Sequence, residues 1–218
     1  MDPTFIILGV ILVVLLYILF VYLSTDKELL QEYVHLDDNL NPITELEKPE
    51  SSRYAYGFWI YVNTWDSSIE KTIIQIPNNL KIYLDANTAS LKVNVDTTSG
   101  TPKDIRVTDN FPLQKWTHVA VSVNNRSLDT YIDGKLVKTC LLEGAPKIDG
   151  TSPVHICPPN GSDGENGFDG HVAKVRYYSR ALNPREIYEI YKEGYSGSLL
   201  GSILNKYRLR FSYIKDNE

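Results

Sequence analysis

The chain has 218 residues, which suffice for one sizeable domain but not for two large domains with independent cores. Its hydrophobic fraction of 43% and charged fraction of 22% are ordinary for a folded protein, and its fifteen tyrosines favour strands over helices. A formal net charge of -5 argues against polyanionic partners, so we expect no nucleic-acid binding.

The first predicted element is a helix over the apolar run from Phe5 to Leu23, in which Gly9 is the one weak helix former. As a helix this run would cover roughly 28 Å, about the thickness of a hydrocarbon core. A cleaved signal peptide is the alternative, but no basic residues precede the run and no small-residue cleavage site follows it. We predict a single-pass transmembrane anchor over residues 1–24. The apolar residues that form this anchor are Phe5, Ile6, Ile7, Leu8, Val10, Ile11, Leu12, Val13, Val14, Leu15, Leu16, Ile18, Leu19, Phe20, Val21 and Leu23.

Residues 25–52 are polar and acidic and contain two prolines, Pro42 and Pro49. The stretch Lys27 to Val34 could extend the helix a short way, but Pro42 and the asparagines before it stop any continuation. We predict a stalk that separates the folded domain from the bilayer.

From residue 53 the pattern changes to strands. The segment Tyr54 to Val62 alternates with period two and is apolar on both faces, which indicates a central strand. Further strands are predicted at Lys71–Ile76, Leu80–Asp85, Ser90–Val95, Asp104–Thr108, Trp116–Val123, Leu128–Ile132, Lys135–Leu141 and Gly170–Ser179.

One short helix follows, with Asn183 as its cap, Pro184 at its first position and an end near Glu193. The sequence therefore predicts an all-β, two-sheet antiparallel sandwich over residues 53–195 with one C-terminal helix.

Two pairs of segments carry more specific residues. W-T-H-V-A-V at 116–121 leads to Y-I-D-G-K-L-V at 131–137, and F-D-G-H-V-A at 168–173 leads to A-L-N-P-R-E-I at 181–187. Together they resemble the laminin-G-like branch of the concanavalin A-like lectin/glucanase superfamily. The resemblance covers about residues 54–194 and implies a jelly roll of two curved sheets, with binding surfaces on the rim loops or the concave face.

The layout of anchor, acidic stalk and the opening Y-A-Y-G-F-W-I-Y-V-N at 54–63 is also similar to membrane-anchored virion proteins of large DNA viruses of algae and protists. That resemblance implies a minor capsid protein that links an internal membrane to the capsid shell, with capsid proteins as partners.

Enzymatic chemistry is disfavoured. The E-x-D-x-x-E strand that places two carboxylates together in the superfamily's glucanases is missing, and no histidine adjoins a G-x-S-x-G motif. Asp133-Gly134 is interpreted as a tight hairpin turn rather than a catalytic carboxylate. We expect a non-enzymatic protein.

The segment 160–169 gathers Asn160, Asp163, Glu165, Asn166 and Asp169, which are oxygen ligands. Their spacing does not fit an EF-hand loop, so a solvated loop without metal or other cofactor is predicted, with calcium as the alternative.

The tryptophans and cysteines are assigned mostly to structure. Trp116 is predicted to be core, whereas Trp65, at the polar end of the first strand, is the candidate for a glycan contact. Cys140 and Cys157 either form a disulfide or are small buried residues, and the second interpretation is preferred.

Residues 196–218 form a predicted interaction tail in which apolar and basic residues alternate as in a strand. It either folds back on its own sandwich or adds to a neighbouring protein. The candidate partner contacts are Tyr207, Arg208, Leu209, Arg210, Phe211 and Tyr213.

The leading functional hypothesis is a membrane-anchored structural or interaction protein, which would link a bilayer to a protein shell. The alternative is a surface lectin-like module that binds glycans, with or without calcium.

Overall fold

The computed structural model describes residues 3–24, 27–35, 40–49, 51–100, 102–148, 152–158 and 168–195. The chain divides into two compact units: the N-terminal helix belongs to the first, and the second spans Leu29–Gly197.

The helix of the first unit, α1, spans Pro3–Ser24 and agrees with the predicted apolar helix. Its described side chains between Ile7 and Leu19 are all exposed. Among the residues that the structure describes, no helix meets the length and hydropathy required to cross a membrane.

The second unit is a two-sheet antiparallel sandwich with one short helix, which confirms the predicted fold class. Its strands are β1 (Leu29–His35), β2 (Arg53–Val62), β3 (Lys71–Ile76), β4 (Leu80–Leu84), β5 (Leu91–Val95), β6 (Lys103–Thr108), β7 (Thr117–Asn124), β8 (Ser127–Ile132), β9 (Lys135–Leu141), β10 (His155–Ile156) and β11 (Gly170–Tyr178), and its helix is α2 (Pro184–Glu193).

One sheet has six strands in the order β1-β11-β2-β7-β8-β9, and the other has five in the order β10-β3-β4-β5-β6. Strand β2 lies between β11 and β7, as its two apolar faces predicted. Because side chains alternate along a strand, its even-numbered residues from Tyr54 to Val62 enter the core between the sheets. Its odd-numbered residues, such as Trp59 and Tyr61, lie on the outer face of the six-stranded sheet.

The predicted stalk is wrong in part, because two of its described segments, Leu29–His35 and residues 40–46, belong to the sandwich. Strand β1 pairs with β11, with Val34 opposite Val172 and only 4% exposed. Farther along, Ile43 bridges to Val154, and Leu40, Ile43 and Leu46 pack against the core. The segment Leu29–His35 is therefore a strand and not a helix extension, because pairing with β11 overrides its weak local preference. The domain begins near Leu29.

Helix α2 covers part of the outer face of the six-stranded sheet. Its N-terminus is the predicted one. The Asn183 side chain accepts hydrogen bonds from the N–H groups of Arg185 and Glu186, and the Glu186 carboxylate accepts a hydrogen bond from the Asn183 N–H. Ile187 is fully buried in a small cluster with Ala55, Ala120, Tyr131 and Leu182. This cluster packs α2 against the sheet. The neighbouring part of the outer face is covered by side chains and not by the helix.

Candidate functional site

A group of aromatic rings and imidazoles lies at one end of this outer face, and we call it the aromatic patch. The sheet register assembles it, since His35 of β1 lies opposite His171 of β11, and His171 lies opposite Tyr61 of β2. The patch consists of Tyr33, His35, Tyr61, Trp116, His171 and Tyr195.

Trp116 is the centre of the patch. Its ring lies 5.7 Å from that of Tyr61 and 6.4 Å from those of Tyr33 and His171, measured between centroids. The Tyr195 ring stacks on it at 4.5 Å and an interplanar angle of 12°. Trp116 is half-buried and does not belong to the core between the sheets, so the prediction that it is a core residue is wrong. The residue precedes β7 on the outward side, where the sheet has no second layer.

Polar atoms border the rings on the β1 side. The Tyr33 ring stacks on His171 at 5.6 Å, and its hydroxyl forms a hydrogen bond of 2.9 Å with His171 Nδ1. His35 contacts His171 edge-on at 4.6 Å. Tyr33 remains 54% exposed, so this side of the patch combines an accessible apolar surface with hydrogen-bonding groups.

Asp169 contributes a fixed negative charge beside the two histidines. Its carboxylate accepts hydrogen bonds from Asn63 Nδ2 at 2.7 Å and Thr64 Oγ1 at 2.9 Å. These bonds, and to a smaller extent the nearby imidazoles of His35 and His171, hold the pKa of Asp169 below its usual range. The carboxylate is therefore ionised at neutral pH.

A buried histidine separates the patch from the cluster under α2. His118 is 1% exposed, its ring lies 5.2 Å from Trp59 and 6.1 Å from Tyr191, and its Nδ1 atom has no hydrogen-bond partner. Burial, the largest effect, lowers the pKa of His118 from 6.5 to about 4, opposed by Asp133 and assisted by Arg176. The imidazole is neutral at physiological pH and packs α2 against the sheet.

Comparison with known proteins identifies the family. The model of the concanavalin A-like lectin/glucanases superfamily, in its laminin G-like form, matches residues 31–188. The chain belongs to this superfamily. The match begins inside β1, in agreement with the structural domain boundary.

A curated relative that this chain matches is the Adhesion G-protein coupled receptor V1 of Danio rerio. It is 31% identical over 85 residues, which cover 38% of this chain and 1% of the receptor. The shared region is therefore a small part of that relative.

Solved structures show the same fold at low identity. The CBM40 of a Ruminococcus gnavus IT-sialidase, bound to alpha2,3 sialyllactose, has a TM-score of 0.58 and 13% identity over 75% of this chain and 99% of its own. The binding domain of botulinum neurotoxin DC, in complex with rat synaptotagmin II, has a TM-score of 0.56 and 17% identity over 75% of this chain and 46% of its own.

Trp65, the predicted glycan contact, makes several contacts within the sandwich. It is half-buried and packs against the core, and its Nε1 donates a hydrogen bond of 3.1 Å to the Ala86 carbonyl. The Lys71 ammonium lies 3.9 Å from the centre of its ring. Both the polar edge and one face of Trp65 are therefore engaged within the protein, which leaves the aromatic patch as the stronger candidate.

The two cysteines are free, so the predicted alternative of a disulfide is wrong. Cys140 is half-buried on β9 of the six-stranded sheet, whereas Cys157 is buried beside β10 of the other sheet. The preferred interpretation as small buried residues fits Cys157 fully and Cys140 in part.

The six predicted partner contacts, Tyr207 to Tyr213, lie outside the described residues, as does most of the oxygen-ligand loop. The part of the chain that is described contains no group of three or more His, Cys, Asp or Glu side chains that could hold a metal ion.

The members of the patch other than Trp116 were not singled out by the sequence. A usable signal was present, because aromatic or histidine residues occupy outward positions near the ends of three paired strands, at Tyr33, Tyr61 and His171. Outward strand positions without a covering layer are usually polar, so such residues mark a surface with a second role.

Proposed function

We propose that the sandwich is a non-enzymatic recognition module that binds a neutral saccharide at the aromatic patch. The observation that carries the proposal is the grouping of a half-buried tryptophan with an exposed tyrosine, whose hydroxyl and histidine partner offer hydrogen bonds. Aromatic faces bind the apolar side of a sugar ring, and a few fixed polar groups orient it.

The charges around the patch favour a neutral ligand over an anionic one. Asp169 is ionised beside the two histidines of the patch, His35 and His171. Two lysines close in sequence to patch residues are ion-paired, since Lys115, next to Trp116, pairs with Asp133, and Lys174, on β11 with His171, pairs with Glu32. A carboxylate or sulfate on the sugar would therefore meet repulsion from the Asp169 carboxylate.

Similarity to the sialidase CBM40 supports a saccharide as the class of ligand, because that domain has this fold and is bound to sialyllactose. Sialyllactose is acidic, so the preference for a neutral saccharide rests on the charge of Asp169 and not on this comparison. The synaptotagmin complex of the neurotoxin domain shows that a protein partner also suits the fold. The exposed aromatic surface with hydrogen-bonding groups leads us to prefer the saccharide.

We further propose that residues 1–24 anchor this module in a bilayer. The support is the sequence: nineteen consecutive residues from Phe5 to Leu23 carry no charge. The role as a minor capsid protein at a virion membrane stays a prediction from the layout, since no described residue bears on it.

The test of recognition uses the full chain in lipid nanodiscs on an array of neutral, sialylated and sulfated glycans. Binding to neutral glycans is expected, with a loss of at least about 10-fold, or ~1.4 kcal/mol, for Trp116→Ala and for Tyr33→Ala. Tyr188→Ala is the matched control, because Tyr188 is a 48% exposed tyrosine on α2 outside the patch. Failure of the intact protein to bind any glycan, or equal binding by all three variants, would contradict the proposal.

The anchor is tested by alkaline extraction of membranes from expressing cells. The intact chain is expected in the membrane fraction. The double variant Leu12→Arg/Leu16→Arg is expected to leave it, because each arginine costs ~2.5–3.5 kcal/mol at the centre of a spanning helix. Leu136→Arg, at an exposed leucine of β9, is the control and should stay with the membrane. Retention of the double variant would refute the anchor.

A further inference from the structure

Tyr195 occupies the surface of Trp116 that a ligand ring would use. The two rings are nearly parallel, with 4.5 Å between centroids and 12° between planes, whereas the other rings around Trp116 are tilted by 34° to 56°. Parallel stacking of a six-membered ring that carries a hydroxyl is also how a pyranose would lie on the indole.

The contact is one that the protein could break at low cost. Tyr195 remains 40% exposed, and beyond Trp116 its ring meets Trp59 edge-on at 5.9 Å. It follows Gly194, where α2 ends with a φ of +75° in the left-handed region that favours glycine. A Cβ at Gly194 would meet nothing within 4 Å, so the backbone at this junction has open space around it.

We propose that Tyr195 is an internal ligand of the aromatic patch, which an incoming saccharide displaces from Trp116. The proposal rests on the proposed saccharide binding at the same patch, and it adds a contact that regulates the affinity of that binding. In the free protein Tyr195 shields the indole from water. In the bound protein the sugar ring takes its place, and the affinity measured is reduced by the stability of the internal contact.

Removal of the ring should therefore strengthen binding, which is opposite to the effect of removing any other ring of the patch. Tyr195→Ala is expected to lower the Kd for a neutral glycan by about 2- to 10-fold, the range that corresponds to the loss of one aromatic contact. Tyr195→Phe keeps the ring and should bind like the unmodified protein. Tyr188→Ala removes an exposed tyrosine from α2 and should leave the Kd unchanged.

A second measurement needs no saccharide. Acrylamide quenching of tryptophan fluorescence in the full chain should increase in Tyr195→Ala, because Trp116 loses its cover. The increase should disappear when Tyr195→Ala is combined with Trp116→Phe, which assigns it to this indole rather than to Trp59 or Trp65.

The outcomes separate the two proposals. Increased quenching together with tighter binding in Tyr195→Ala supports displacement. Unchanged quenching overturns it, since Tyr195 then does not cover Trp116. Weaker binding in Tyr195→Ala also overturns it, because Tyr195 would then be part of the platform, and the saccharide function would still stand. If no glycan binds to the unmodified protein or to Tyr195→Ala, the saccharide function itself fails, and displacement fails with it.

Discussion

His118 makes the stability of the sandwich depend on pH. The imidazole is 1% exposed beneath α2, and burial lowers its pKa from 6.5 to about 4. The folded state therefore takes up this proton only near pH 4, whereas the unfolded chain takes it up near pH 6.5. The stabilisation due to the neutral ring is complete above pH 6.5 and is lost as the pH falls towards 4. At ~1.4 kcal/mol per pKa unit, the loss amounts to about 3 kcal/mol.

Replacing His118 with glutamine should remove this loss, because the amide does not titrate. The free energy of unfolding is measured by urea denaturation of the full chain in a non-ionic detergent, in steps from pH 7 to pH 4. Tryptophan fluorescence reports on the sandwich, since Trp59, Trp65 and Trp116 all lie in it. The variant is expected to be less stable than the unmodified protein at pH 7, because it lacks the packed imidazole. Between pH 7 and pH 4 its free energy of unfolding should fall by about 3 kcal/mol less than that of the unmodified protein.

The matched control is His155→Gln, at a half-buried histidine of β10 in the other sheet, and it should retain the acid-dependent loss. Equal losses between pH 7 and 4 in the unmodified protein and His118→Gln would refute the reasoning. That result would mean that the imidazole accepts its proton in the folded state without leaving its site.

Three further predictions concern stability and thiol chemistry. Asn183→Ala should lower the free energy of unfolding by ~1 kcal/mol through loss of the cap of α2, and an unchanged urea midpoint would contradict this. Ser122→Ala should cost ~1–3 kcal/mol in the same assay, because its buried hydroxyl donates to the Leu182 carbonyl and accepts from the Leu182 N–H, both at 2.9 Å. In the absence of reductant, a thiol reagent should label Cys140 in the folded protein and Cys157 only after unfolding, because Cys157 is buried and burial raises the pKa of its thiol. If neither thiol is labelled in urea, the two cysteines form a disulfide and the prediction is wrong.

The regular elements of the sandwich were predictable because their signals are local. The alternation in β2, the Asp133-Gly134 turn and the cap of α2 each depend on a few adjacent residues. In the structure Asp133 and Gly134 have φ angles of 48° and 72°, as a two-residue hairpin turn requires. The family resemblance depended on the same segments, and the match over residues 31–188 confirms it at the level of the superfamily.

Strand β1 was missed because its signal is not local. Leu29–His35 includes Gln31 and Glu32 among its apolar residues, and only the five residues 24–28 separate it from the apolar run. Its identity as a strand depends on backbone pairing with β11, which lies some 140 residues farther along the chain. Two-residue β10 was missed for a similar reason, since only its pairing with β3 defines it.

The sequence by itself determined the class of fold, the strands with clear alternation, the helix cap and the membership of the superfamily, because each of these follows from neighbouring residues. Only the tertiary structure decided where the domain begins, that the cysteines are apart, and that Trp116 lies on the outer surface. It also brought residues as distant as Tyr33 and Tyr195 into one patch. The physical reason is that sheet register and the docking of α2 set these contacts, and both depend on pairings between remote segments that no local pattern encodes.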